Sequence, residues 1–213
     1  MGNSPAELEV LLPVHNEEAT IEGTIREIFS ELGSRVGVRI IVCEDGSRDN
    51  TKEVLRRLAE EFPLKLILSD EKKGYTRAVT DGMRALEAPF LLCIDADGQC
   101  DPKDFWKFWE RRNDFDMVVG WRNPRQDPLL RRLMSGGFQV LYNLLYRVPL
   151  HDPSCPYILI SRKVSTTWPT PFSTCLMGVG GNSTPAPGCA DFPFMNNRSI
   201  TESENPGIPA CSR

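Results

Sequence analysis

The stretch Pro89-Phe-Leu-Leu-Cys-Ile-Asp95-Ala-Asp97-Gly-Gln99-Cys-Asp101-Pro-Lys-Asp104 decides the fold. Phe90 to Ile94 is an apolar run of strand length, closed by an acidic turn. Asp101 to Asp104 carries helix-start chemistry: Asp101 as N-cap, Pro102 at the first helical position and Asp104 closing a capping box. The order is therefore strand, acidic turn, helix, and ligands of open α/β sheets bind at that carboxyl edge. If the strand runs through the pair, Asp95 and Asp97 face the same way while Ala96 points into the protein. Two carboxylates so placed suit a hard cation, Mg2+ or Mn2+, which takes oxygen ligands from one or two acids plus the phosphates of a substrate. Gln99 adds another oxygen. An acidic surface turn is the other reading of this pair by itself.

Outward from this stretch, strand-like and helix-like segments alternate. Leu8 to Val14 reads as a strand, Glu17 to Leu32 as an amphipathic helix, Val38 to Cys43 as a strand and Thr51 to Phe62 as a helix. Leu64 to Leu68 is a short strand, Thr76 to Leu86 a helix, and Asp116 to Val119 another strand. The repeated β-α-β order predicts an α/β fold: a mostly parallel, Rossmann-like sheet flanked by helices. A longer helix is predicted over Pro128 to Tyr146, either a core helix with solvated Arg131 and Arg132 or a basic, apolar helix near a membrane surface.

The 213 residues, 40% of them hydrophobic, suffice for one core. A net charge of -4 argues against a general nucleic-acid binder, which would present a basic surface. Seven scattered cysteines without a Cys-x-x-Cys pair suggest neither a zinc site nor a disulfide framework. Cys43 and Cys93, in apolar runs, read as buried thiols. No window approaches the roughly 18 apolar residues of a spanning helix, so the expected location is cytoplasmic, or peripheral at the inner face of a membrane.

Four segments together resemble family 2 glycosyltransferases with the GT-A fold, especially the polyprenyl-phosphate or dolichyl-phosphate hexose synthase branch. They are Leu12-Pro-Val-His-Asn-Glu-Glu18, Cys43-Glu-Asp-Gly-Ser-Arg-Asp-Asn-Thr51, Lys72-Lys-Gly-Tyr-Thr-Arg-Ala78 and Asp95-Ala-Asp-Gly-Gln99. The resemblance implies a nucleotide-sugar donor, with base and ribose at Pro13, Asn16, Glu17 and Asp45, and a nucleotide loop at Lys73, Gly74 and Arg77. It implies that Asp95, Asp97 and Gln99 hold the cation on the donor diphosphate. Two charges about 4 Å apart interact by roughly 4 kcal/mol at an effective dielectric near 20, so carboxylates facing bare phosphates would repel the donor. A cation reverses that sign.

The same resemblance places acceptor and donor phosphates at Arg122, Arg131, Arg132 and Ser135, and an acceptor-side acid at Asp152. It thereby implies a lipid-linked phosphate as acceptor. Glu44 stands where the family commonly has Asp, and Pro156 where it has Gly; the processive-synthase Gln-x-x-Arg-Trp is missing. Transfer to a saccharide hydroxyl, or an inactive nucleotide-sugar-binding remnant, are the alternatives. A nucleotidyltransferase is disfavoured, because no glycine-rich, lysine-bearing loop follows the first strand.

The likeness runs to about residue 163, so residues 1–163 are expected to form the domain, incomplete in its C-terminal half. Residues 164–213 contain five charged residues and no lysine, and 24 of these fifty are Pro, Gly, Ser or Thr. That composition predicts an irregular tail. Re-read two bases out of frame, the tail resembles the rest of the family: an apolar helix, an aromatic-acidic segment with Ala-Arg-Ala, then a strand. A shifted frame after Lys163 is therefore expected.

Overall fold

The computed structural model describes residues 6–98, 100–120, 137, 155–163 and 199–200. Its elements follow the predicted alternation: β1 (Leu8–Val14), α1 (Ile21–Leu32), β2 (Val38–Asp45), α2 (Thr51–Glu61), β3 (Leu64–Ser69), α3 (Tyr75–Arg84) and β4 (Phe90–Cys93). After a 3-10 turn over Pro102–Asp104 come α4 (Phe105–Glu110), β5 (Met117–Val119), β6 (Ile158–Ser161) and β7 (Ser199–Ile200). They form one sheet of order β3-β2-β1-β4-β6-β5-β7.

β1 to β4 are parallel neighbours, with Leu8 opposite Val38 on one side and Phe90 on the other. The chain steps outward from β1 to β2 and β3, then returns to place β4 on the other flank of β1. That reversal opens a crevice at the carboxyl ends of β1 and β4. β6 enters antiparallel between β4 and β5, an inversion that the β-α-β pattern did not announce.

Period-two alternation sorts the strand residues into two apolar layers. Leu8, Val10, Leu12, Ile40 and Val42 meet Ile21, Ile25 and Ile28 of α1, Leu55 and Leu58 of α2, and Phe105 and Phe108 of α4. Leu11, Ile41, Cys43, Leu91 and Cys93 pack against Ala78 and Val79 of α3 on the opposite face. Each fully buried Leu or Ile contributes about 1.5–3 kcal/mol of transfer free energy. Burial pushes the thiols of Cys43 and Cys93 up to about 12, as expected of packed, unreactive sulfur.

Pro13 sits in the central strand β1, opposite Cys43. Leu11 accepts from the Ile94 N–H on the β4 side, and Pro13, two residues on, turns to that same side where β4 has ended. Its missing N–H therefore breaks no ladder bond.

Two sequence-based expectations need correction. β4 stops at Cys93, so Asp95 and Asp97 lie in the turn beyond it and strand alternation does not orient them. The first helix begins at Ile21 rather than Glu17, because Glu17 to Thr20 form a turn. Of residues 164–213, the described pair Ser199–Ile200 runs parallel to Met117 and Val118.

Candidate functional site

Two loops at the carboxyl edge are laced together by side chains that satisfy backbone N–H groups. Asn16 adopts a left-handed backbone (φ 58), which Asn tolerates better than most residues. Its N–H donates to Ser47 Oγ at 2.9 Å and its Oδ1 accepts from the Arg48 N–H at 2.9 Å. The Glu17 N–H donates to Thr51 Oγ1 at 3.0 Å, while Glu18 accepts from the N–H and side-chain amide of Asn50. Asp49 takes the Glu18 N–H and both the N–H and hydroxyl of Thr51. Burial alone would raise its pKa, but those hydrogen bonds outweigh burial and hold the carboxyl below its ordinary value. The segments containing Asn16 and Glu17 thus stand as one rigid wall with the β2–α2 loop.

Asp45, only 4% exposed at the end of β2, anchors a third loop. Its Oδ1 accepts from the N–H of Lys73 at 2.5 Å, and its Oδ2 from the N–H of Gly74 at 2.9 Å. Glu44, 2% exposed, takes the N–H groups of Ser47 and Ser69 and lies 3.7 Å from Lys52 Nζ. The extra methylene of Glu relative to Asp is used to span two loops. Gly46 has φ +65, and a Cβ there would strike the backbone of Glu71 and Lys72. Only glycine allows the 71–74 loop to close against β2.

Gly74 (φ 95) then turns the chain into α3, and the first helical residue, Tyr75, donates its hydroxyl to Asp95 Oδ1 at 3.0 Å. Tyr75 is 40% exposed as a residue, yet desolvation at its hydroxyl and the neighbouring Asp95 charge raise its pKa, so the phenol keeps its proton. In the acidic turn itself, Ala96 is 3% exposed and its carbonyl accepts from Thr24 Oγ1 of α1 at 3.2 Å. Gly98 has φ +73. Asp95 and Asp97 on either side of buried Ala96 are half-buried. The inward Ala and outward acids expected from a strand are thus produced by a turn pinned at its middle carbonyl. Asp101 caps the following 3-10 turn by accepting from the Lys103 N–H at 3.0 Å.

The donor set of the turn fits a hard divalent cation. It offers carboxylate oxygens beside a phenol and no sulfur or imidazole donor in the turn. Among the described residues, no group of three or more His, Cys, Asp and Glu is arranged to hold a metal by itself. Such a pair leaves coordination positions for phosphate oxygens, as Mg2+-type sites do.

The structure brings together Pro13, Asn16, Glu17, Asp45, Lys73, Gly74, Asp95 and Asp97 at the carboxyl edge. Lys73 Nζ reaches Asp81 at 3.6 Å. Gln99, Arg122, Arg131, Arg132, Ser135 and Asp152 lie outside the described residues, as does nearly all of the helix predicted over 128–146. Sequence reasoning missed Tyr75 and the bridging work of Glu44. Tyr75 stood inside a quoted segment, yet nothing in its spacing from Asp95 reveals that α3 delivers it there. No helix among the described residues is long and apolar enough to cross a membrane.

Comparison with known proteins agrees with this architecture. The profile described as "Glycosyl transferase family 2" matches residues 9–168. The dodecaprenyl-phosphate galacturonate synthase of Rhizobium johnstonii is 29% identical over 155 residues, covering 70% of this chain and 46% of that protein. The chain thus spans about half the length of the curated relatives it matches. Among solved structures, a mannosyltransferase of Pyrobaculum calidifontis in complex with GDP-Man and Mn2+ superposes with a TM-score of 0.57 at 20% identity, covering 78% of this chain and 48% of its own. The glucosyl-3-phosphoglycerate synthase of Mycobacterium tuberculosis, in complex with Mn2+, UDP-glucose and phosphoglyceric acid, gives 0.61 at 18% identity, covering 82% and 65%. These structural likenesses establish a shared GT-A-like fold.

Proposed function

The chain belongs to glycosyltransferase family 2, and on that premise we propose that its carboxyl-edge crevice transfers a hexose, with inversion, from a GDP- or UDP-linked donor to a lipid-linked phosphate such as polyprenyl phosphate. The observation that carries this reading is the pair of carboxylates beyond β4, tied through Tyr75 to the loop that Asp45 anchors. A nucleotide diphosphate sugar needs both features: a wall for base and ribose, and oxygen donors that recruit a cation to its phosphates.

Pro13, Asn16, Glu17 and Asp45 line the base and ribose side, with Lys73 and Gly74 beside the nucleotide. A carboxylate has about four acceptor sites, and the N–H groups of Lys73 and Gly74 make three contacts with Asp45. The remaining site suits an N–H of uracil or guanine. Asp95 and Asp97, with Gln99, would hold Mg2+ or Mn2+. When bound, that cation supplies Lewis-acid stabilisation of the departing nucleoside diphosphate.

Arg122, Arg131, Arg132 and Ser135 would grip phosphates, since guanidinium groups stay charged and bind phosphate with paired hydrogen bonds. Asp152 would stand beside the acceptor. A phosphate monoester with a second pKa near 6 is mostly dianionic at neutral pH, so it attacks C1 without giving up a proton. The new C1–O bond forms as the bond to the donor phosphate breaks, the electron pair leaving with the nucleoside diphosphate through an oxocarbenium-like state. His15 lies in the nucleotide-side segment, its Nε2 3.3 Å from the Asn16 side chain, and no other compelling base stands in the matched region, which suits a base-free route. Contact with the membrane would be peripheral, through the apolar, arginine-bearing segment 128–146. The curated relative named for a dodecaprenyl-phosphate sugar lends this acceptor class support.

The test is a panel of radiolabelled nucleotide sugars offered with polyprenyl phosphate. Label is expected in butanol-extractable, mild-acid-labile lipid. Label only in water-soluble glycan would instead assign a saccharide hydroxyl, and metal-dependent nucleotide binding without turnover would mark an inactive remnant.

A further inference from the structure

We infer that Tyr75 is a positioning residue for the cation site: its hydroxyl orients Asp95 and couples that carboxylate to the loop that Asp45 holds. The inference rests on the reading of Asp95 as a metal-binding acid and adds a residue to it.

The argument begins with the backbone. Asp45 is fixed at the end of a central strand, nearly buried, and clamps the N–H groups of Lys73 and Gly74. Gly74, at φ 95, redirects the chain so that α3 starts at the next residue. α3 itself cannot drift, because Ala78 and Val79 are buried in the sheet layer beneath it and Gly82 lies against Leu11 and Cys43. Tyr75 is therefore held from both sides, by the clamped loop before it and the packed helix after it. Its hydroxyl reaches 3.0 Å from Asp95 Oδ1, although twenty residues separate the two in sequence.

A phenol donor has two consequences for a carboxylate that serves a cation. It restrains the rotation of the carboxyl plane through the bond to Oδ1. It also does so without adding positive charge, so the attraction of Asp95 for a cation is preserved, as a Lys or Arg in the same place would not allow. Partners of this kind, which orient a metal-binding acid from outside, typically contribute 10–100-fold to metal affinity. Because the same short segment is anchored on Asp45, the 71–74 loop and the Asp95 carboxylate are held by one connected unit.

The experiment is a Mn2+ titration followed by electron paramagnetic resonance, on full-length wild type, Tyr75→Phe, Asp95→Asn and the double variant. UDP and GDP are each present in turn, with metal-free nucleotide affinity measured in parallel by calorimetry. Tyr75→Phe keeps the ring and deletes one oxygen, and a wild-type melting temperature verifies its fold. The expected result is about tenfold weaker Mn2+ binding in Tyr75→Phe, unchanged metal-free nucleotide affinity, and no further loss when Tyr75→Phe is added to Asp95→Asn. Wild-type Mn2+ affinity in Tyr75→Phe would overturn the inference while leaving Asp95 as a metal-binding acid, provided that Asp95→Asn loses the ion. An equal loss from Tyr75→Phe in both backgrounds would also overturn it, because the hydroxyl would then act elsewhere. Wild-type affinity in Asp95→Asn would overturn the inference and the metal reading together.

Discussion

The two ends of the sheet use their carboxylates differently. At the amino edge, Glu9 of β1 is fully buried and accepts from Arg39 Nε at 2.6 Å and from the N–H groups of Glu87 and Ala88 at 2.6 and 3.0 Å. Arg39 and Lys65 both turn to Glu87 at 2.7 Å, so acids and bases are matched and the cluster staples β1 and β2 to the start of β4. At the carboxyl edge, Asp45 is held by backbone N–H groups and Asp95 by a phenol. Each of these donors is neutral, and Glu44, beside Lys52 Nζ at 3.7 Å, is the charge-matched acid of this edge. The amino-edge cluster ties strands together, whereas the carboxyl-edge acids Asp45 and Asp95 tie loops to the crevice.

Substitutions at the two ends should therefore separate activity from stability. The largest effect is expected from Asp97→Ala. Losing several kcal/mol of charge stabilisation on the leaving group should lower sugar transfer by about a hundredfold or more, with the melting temperature within a degree or two of wild type. A large drop in thermal stability instead would blur the distinction between the edges.

Glu9→Ala should do the reverse. It strands two backbone N–H groups and removes the buried one of Arg39's two acid partners, costing about 2–4 kcal/mol in chemical denaturation. Mn2+ affinity per folded molecule should not change, and a change would mean that the amino edge communicates with the site.

Gly46→Ala probes the join between stability and function. The left-handed backbone and the contact with Glu71 and Lys72 should cost about 1–3 kcal/mol and weaken nucleotide binding by displacing the 71–74 loop.

The smallest effect concerns pH. Lys65 and then Arg39 hydrogen bonds pull the exposed Glu87 carboxyl down to about 2. A depressed folded-state pKa means that the stabilisation is complete above the unfolded value near 4.3 and is lost as pH falls toward 2. Wild type should exceed Glu87→Gln modestly in melting temperature at pH 7, and the gap should close between about pH 4.5 and 2. A gap independent of pH would assign the difference to packing.

Most of the fold was legible because its elements depend on local pattern. The apolar runs at Leu8–Val14, Val38–Cys43 and Phe90–Cys93 and the amphipathic period of α1 and α2 needed no tertiary information. The antiparallel entry of β6 was hidden because register between β4 and Ile158–Ser161 is set by pairs as far apart as Phe90 and Ser161. At the site, residue types were readable and roles less so. Asp45 looked like a ligand for a base, yet its first task is to hold Lys73 and Gly74, a bond across 28 residues that no spacing rule encodes. Tyr75 escaped for the same reason. The acidic pair does lie just beyond β4, but strand alternation had ended at Cys93, and its turn is pinned instead by the Thr24 bond to the Ala96 carbonyl. The proposal of a shifted reading frame after Lys163 turns on the encoding DNA, where codons that forbid the alternative peptide would end it. Residue pairing of Ser199–Ile200 with β5 gives that stretch a short structural role as it stands.

The central claim is that the carboxyl edge receives a nucleotide diphosphate through a cation held by Asp95 and Asp97. Its most direct test is calorimetry of UDP and GDP binding to the full chain with Mn2+ and with chelator, repeated on Asp97→Asn. The account predicts binding of at least one nucleotide about tenfold or more tighter with Mn2+, and loss of that gain in the variant. Equal affinity with metal and with chelator would contradict it.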